Sequence, residues 1–336
     1  MASRLRCGPV RASVLLAGAL VLAACAPLGA GADLRPWKAG LLRDHPLTGR
    51  IWLPNEARFI PPERLIERLW ATKFILLGER HDNPDHHRIQ AWITARLIGR
   101  GRRPALVMEM FRAPQQATID AYLNAHPGDS AGLGKATGWD RSGWPDWRHY
   151  EPMVRPVVAK GLPLIAANLS RRTLRRVVKG GLRSLAPERL RALFLDRPIE
   201  AGTLAAMDRE IVEAHCGLLK AGRARPFTRI QVLRDARFAE ALRRGAAGSG
   251  GAVLIAGAGH ARRDRGVPLH LRRAGAAPRD IFALGIVEVS EKQFTPPSYG
   301  AAYGVERPPF DAVWFTPRQA RKDPCEKFKS SRLGNQ

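Results

Sequence analysis

Two histidines follow the same short pattern at distant points of the chain. Ile75-Leu76-Leu77 leads into Gly78-Glu79-Arg80-His81, and Val253-Leu254-Ile255-Ala256 leads into Gly257-Ala258-Gly259-His260. Each is an apolar run, a glycine, two residues and an imidazole, a group that carries protons near neutral pH and ligates metals. Glu79 stands two residues before His81, so in extended backbone both side chains face one side. Glu109 closes the apolar run Ala105-Leu106-Val107-Met108, where a carboxylate is costly unless partnered. Asn168 closes another such run. Carboxylate with imidazole suits a borderline divalent ion (zinc, manganese or cobalt) on His81, Glu109 and His260. Such an ion would activate water for hydrolysis, with Glu79 as general base. Without metal, Glu79, His81, Glu109 and His260 suit general acid–base chemistry. Taken singly, each group reads first as a helix cap or a partner of an arginine; it is their joint occurrence that points to a site.

Delivering these groups to one place requires a sheet. Short apolar runs bounded by glycine read as buried strands, and here they cover 74–77, 105–109, 163–167, 253–256 and 281–289, with a last strand at 311–316. Helical patterns alternate with them at about 84–99, 114–125, 150–160 and 228–244. Ile89, Trp92, Ile93 and Leu97 form one core-facing stripe. Gly49 to Trp52 reads as an edge strand, and 127–148 as a long loop. The expected fold is α/β, a mainly parallel sheet with helices on both faces, plus a helical insertion at about 171–224. In open α/β sheets ligands bind at the carboxyl edge of the strands, where all five polar residues fall. Asp82 and Asp85 suit the N-terminus of the next helix without any further role. His86 and His87 point about 100° apart on a helix and do not share one metal readily.

The chain has 336 residues, 45% of them hydrophobic, enough for one large domain. Its net charge of +25 favours anionic surfaces or ligands. The basic residues are scattered, without a basic stripe interleaved with aromatics, which argues against a nucleic-acid module. Arg4, Arg6 and Arg11 precede an apolar stretch from Ala12 to Ala24, too short to favour a membrane span. Leu22-Ala23-Ala24-Cys25 looks like a lipobox. The expectation is a lipoprotein signal peptide over 1–24, acylation of Cys25, a tether over 25–48, a domain over 49–317 and a basic, disordered tail over 318–336. The chain would then be exported and lipid-anchored, at an outer membrane facing the periplasm. Cys216 and Cys325 either pair there or remain free thiols.

The loop Gly143-Trp144-Pro145-Asp146-Trp147, with Trp139 before it, offers an aromatic rim to a flat ligand, or packs into the core. Tyr150 follows it, and a tyrosine phenolate can ligate haem iron. Arg262, Arg263 and Arg265 could hold carboxylates such as propionates, or be a solvated turn. Together with Gln231-Val232-Leu233-Arg234-Asp235-Ala236 and Ile165-Ala166-Ala167-Asn168-Leu169, the two glycine–histidine motifs and the Trp-rich loop resemble the ChaN family of bacterial lipoproteins over about residues 49–317. That resemblance implies an α/β domain with a helical subdomain, haem binding linked to iron uptake, and haem held between two subunits of a homodimer as one arrangement. Tyr150, His81, His260, Arg263 and Trp144 are the candidate haem contacts. The broader group is similar to Tiki and erythromycin-esterase-like proteins, which implies metal-dependent hydrolysis instead, with His81, Glu109 and His260 matching by position. A third reading is an interaction protein at a membrane surface with a vestigial site.

Overall fold

A computed structural model describes residues 34–323, 325 and 326. The expected signal peptide, and Cys25 as the acylated residue, lie outside these. In chain order the first elements are β1 (Ile51–Leu53), β2 (Arg58–Ile60), α1 (Pro62–Trp70), β3 (Phe74–Glu79), α2 (Pro84–Gly99) and β4 (Ala105–Arg112). Then come α3 (Gln116–Ala125), α4 (Leu133–Ala136), α5 (Trp147–Ala159), β5 (Leu164–Asn168), α6 (Arg171–Gly180), α7 (Pro187–Ala192) and α8 (Ala201–Ala214). The last are α9 (Arg225–Ala247), β6 (Ala252–Gly257), α10 (Ala258–Ala261), α11 (Val267–Arg273), β7 (Ile281–Glu288) and β8 (Ala312–Thr316).

Among the described residues eight strands form one sheet in the order β2-β1-β8-β7-β3-β6-β4-β5. From β8 to β5 neighbouring strands run parallel, and β1 and β2 are antiparallel additions. Parallel strands buried on both faces read as continuous apolar runs, and the side chains divide by parity. Ile75, Leu77, Val253 and Ile255 pack with Trp92 and Ile93 of α2 and Val154 and Val157 of α5. Phe74, Leu76, Leu254 and Ala256 pack on the other face with Phe238 and Leu242 of α9 and Leu271 of α11. The mainly parallel α/β fold with helices on both faces is therefore the one expected. Between β5 and β6 the chain is helical, and Val177, Leu185 and Leu193 make a small separate core against Leu233 of α9. No helix among the described residues is long and apolar enough to cross a membrane.

Three details depart from expectation. β1 is not the edge, because three residues at Arg58–Ile60, too few to show an alternating pattern, pair outside it. The segment read as a tether is packed from Leu34 onward. Leu34, Trp37 and Ala39 are buried, and the backbone N–H groups of Lys38 and Ala39 donate to the Asp85 carboxylate at 2.8–3.0 Å. A buried carboxylate requires such donors, so Asp85 fastens the chain as well as opening α2. The tail is likewise ordered at its start. Arg321 makes two-pronged contacts with both Asp82 and Glu288 at 2.6–2.9 Å, and Cys325 forms a disulfide with Cys216 of the helical insertion.

Candidate functional site

The two glycine–histidine motifs interlock. β3 and β6 are adjacent, with Gly78 beside Ala256 and Glu79 beside Gly257. A Cβ on Gly78 would lie 2.9 Å from Ala258 Cα and 2.9 Å from Ala261 Cβ, in the helix that carries His260. A Cβ on Gly257 would lie 3.0 Å from His81 Nε2. Each motif thus needs its glycine so that the other motif's histidine or helix can approach. This close packing sets both imidazoles around one residue, Glu109. His260 Nε2 is 3.5 Å from Glu109 Oε1, and His81 Nε2 is 3.9 Å from Oε2. β4 has a register shift between Met108 and Arg112, a bulge of the kind that re-aims side chains beside sites.

Glu79 is fully enclosed. Its Oε1 accepts from His81 Nδ1 at 2.8 Å and from the Tyr150 hydroxyl at 2.9 Å. His87 Nε2 lies 3.4 Å from Oε2, near enough to attract but off-line for a hydrogen bond. Burial would raise the Glu79 pKa, but the charge of His87 and the bond and charge of His81 hold it well below the usual carboxylate range. Glu109 is treated similarly: against its burial, the charge of His260, that of His81 and the Gly257 N–H at 2.8 Å push it down to about 2. His260 is buried, with Nδ1 2.5 Å from Asp235 Oδ1 on α9. Burial opposes its charge, yet Asp235 and Glu109 on either side raise it to about 10. His260 is therefore a protonated strut between two buried carboxylates. His81 differs: its side chain is 36% exposed, and although burial disfavours its charged form, Glu79 raises its pKa.

Asp235 was not among the expected site residues. The signal was present, because Asp235 shares the α9 face of Val232, Ala236, Ala239 and Leu242, all buried. A carboxylate on an apolar stripe needs a cationic partner elsewhere. His87 also joins the cluster, its ring 4.3 Å from that of Tyr150, whereas His86 turns away to accept from the Arg80 N–H and bond Thr316. Asn168 holds the Glu109 carbonyl at 3.0 Å, which fixes the edge and does not enter the cluster.

Two expected haem contacts are engaged within the protein. Tyr150 is fully buried and its hydroxyl donates to Glu79. Burial and the neighbouring carboxylates push its pKa far up, so it is a neutral phenol rather than an open phenolate. Arg263 is tied to the Ile281 carbonyl at 3.1 Å and lies 3.5 Å from Asp311, away from the histidines. Of the three tryptophans, Trp139 and Trp147 pack into the core around Phe111 and Tyr150. Trp144 alone stands edge-on to His81, at 4.8 Å between rings, with its Nε1 donating to the Met110 carbonyl. The expected divalent metal is not supported: among the described residues no group of three or more His, Cys, Asp or Glu is arranged to hold an ion.

Beside His81 opens a cleft of about 980 Å³ between the ends of β3 and β7 and the strap of residues 318–323. Its volume is of the size that cofactor sites have. Tyr299 and Tyr303 line one wall, and Arg318, Arg321 and Lys322 another.

A family described as "Haem-binding uptake, Tiki superfamily, ChaN" matches residues 65–271. A solved structure of cofacial heme binding to ChaN of Campylobacter jejuni superposes with a TM-score of 0.59 at 21% identity, covering 79% of this chain and 95% of that one. That likeness is one of fold. The type III effector HopBA1 superposes with a TM-score of 0.38 at 11% identity, over 76% of this chain and 92% of that one. An erythromycin esterase, EreC, in its open conformation gives 0.37 at 17% identity, over 81% and 83%. No curated protein matches the chain.

Proposed function

The chain belongs to the haem-binding uptake family of the Tiki superfamily, ChaN, and from that premise we propose that it binds haem at the carboxyl edge of its sheet with His81 facing the iron. The observation that carries the choice of His81 is its asymmetry. Nδ1 is held by Glu79, while the exposed part of the ring adjoins the cleft and the indole of Trp144. A carboxylate on one imidazole nitrogen fixes the tautomer and makes the other a stronger donor to a metal. His260 is not suited to this, because its two nitrogens face Asp235 and Glu109. Trp144 supplies an apolar wall for a flat ring. Haem is read here as cargo, carried for iron uptake.

Export and lipid anchoring at Cys25, at an outer membrane facing the periplasm, complete the reading. The Cys216–Cys325 disulfide supports an oxidising compartment. Two copies sharing haem between them is the arrangement we favour. The test is a haemin titration of the chain beginning after Cys25, followed by absorption and sedimentation. A Soret shift with dimer formation is expected. Spectra that merely add those of free haemin and protein would reject the haem reading, and a haem-bound monomer would reject the shared arrangement.

A further inference from the structure

The arginines expected to meet a ligand's carboxylates and those positioned to do so are different residues. Arg262 is buried and two-pronged on Asp264 at 2.7–3.0 Å, Arg265 pairs with Glu210, and Arg263 lies against Asp311. In the cleft, Arg321 is matched by Asp82 and Glu288. On the opposite side of Glu109 the balance changes. The bulge in β4 sets Arg112 opposite Asn168, and Arg112 Nη1 donates to the Leu169 carbonyl at 3.0 Å, two residues before Arg171 opens α6. Arg234 comes from α9, next to the Asp235 that holds His260. Its Nη1 reaches only Gln231 Oε1, at 3.4 Å, and its Nε is buried without a hydrogen-bond partner.

We propose that Arg112, Arg171 and Arg234 form an oxyanion subsite, which takes a carboxylate or phosphate group of a ligand lying across the carboxyl edge of β4 and β5. None of the three forms an ion pair with a carboxylate among the described residues. Asp235, which feels the charge of Arg234, is already held by His260, and Glu109 by His260 and the Gly257 N–H. Burial, and then the positive charges of Arg171 and Arg234, lower the proton affinity of Arg112, so Arg112 feels both of the other cations. Like charges gathered without a counter-ion repel, and an oxyanion bound between them would reverse the sign of that interaction. Planar guanidinium groups match carboxylate and phosphate oxygens two at a time. If haem is the ligand, these oxygens are its propionates; that identification rests on the haem reading, and the subsite itself does not.

The test compares the full chain with an Arg112→Gln/Arg234→Gln double variant, using inorganic phosphate, haemin and haemin dimethyl ester as separate probes. Phosphate and haemin are expected to bind the variant at least about tenfold more weakly, as loss of charge-assisted bonds implies. The Soret maximum should not move, because His81 is intact, and the ester should bind both proteins alike. The thermal midpoint should hold or rise, since like charges are removed. Equal binding of phosphate and haemin by both proteins would overturn the proposal, as would an equal loss for haemin and its ester. Failure of any haem binding, with phosphate binding still dependent on the arginines, would sink the haem reading and leave the subsite standing. Should the double variant not fold, Arg171→Gln, at an exposed position, is expected to give a smaller loss of phosphate affinity, and no loss would overturn the proposal.

Discussion

His81 and His260 occupy the same position in the same four-residue pattern, yet they end in opposite conditions. His260 is buried between Asp235 and Glu109 and carries a proton up to about pH 10. His81 keeps an exposed face and has one nitrogen fixed by Glu79. The difference comes from the backbone path beyond each strand. After β6 the chain coils at once into α10, which drives its histidine down against α9. After β3 it makes an open turn before α2, which leaves its histidine at the rim. A shared motif therefore yields one structural imidazole and one available to a ligand.

The largest effect expected from breaking this contrast is on stability. His260→Ala would leave two buried carboxylates without their cation, a loss of about 3–5 kcal/mol. His81→Ala removes a part-exposed ring and one of the two hydrogen bonds to Glu79 Oε1, and should lose less, about 1–3 kcal/mol. Urea unfolding of both variants measures this, and equal losses would erase the distinction. Cys216→Ser, which frees the strap beside His81, should lower stability by about 2–4 kcal/mol, matched by reduction of the wild-type chain.

The third effect is a pH dependence. His260 is raised in the folded state, so its contribution is fully present below its unfolded pKa of about 6.5 and disappears as pH rises through about 10. Stability should fall between those limits by a few kcal/mol, on the order set by linkage, and His260→Ala should flatten the slope. Glu109 is depressed, so its contribution is present above about pH 4.3 and lost as pH falls through about 2. A flat profile from neutral to alkaline pH in the wild type would contradict the strut. Smaller again is Tyr150→Phe, which removes one buried bond to Glu79 and should lower stability by about 1–3 kcal/mol while leaving a haem spectrum unmoved. A lost Soret band there would restore Tyr150 as the ligand.

How much of this was legible in the sequence depended on range. The strands carrying Gly78, Glu109, Asn168 and Gly257 could be read directly, since a doubly buried strand is continuously apolar. Their convergence on one edge followed from alternation with helices. What escaped was long-range pairing. The need of Gly257 to admit His81 has no local signature, because it depends on β3 and β6 being neighbours. Asp235 carried a signal, an acid on an apolar helical face, but its partner His260 lies 25 residues away. The arginines after His260 looked free and are not, because Asp264, Glu210 and Asp311 reach them. Leu34 to Thr48 looked like a tether since its anchor, Asp85, lies on another element.

The central claim is that His81, not its twin or Tyr150, faces haem iron. The most direct measurement is the Soret spectrum and haemin affinity of His81→Ala beside Tyr150→Phe and the wild type. We predict that His81→Ala stays folded but loses or shifts the band and binds haemin at least about tenfold more weakly, as removal of an axial ligand implies, while Tyr150→Phe keeps both. An unchanged band and affinity in a folded His81→Ala variant would contradict the account.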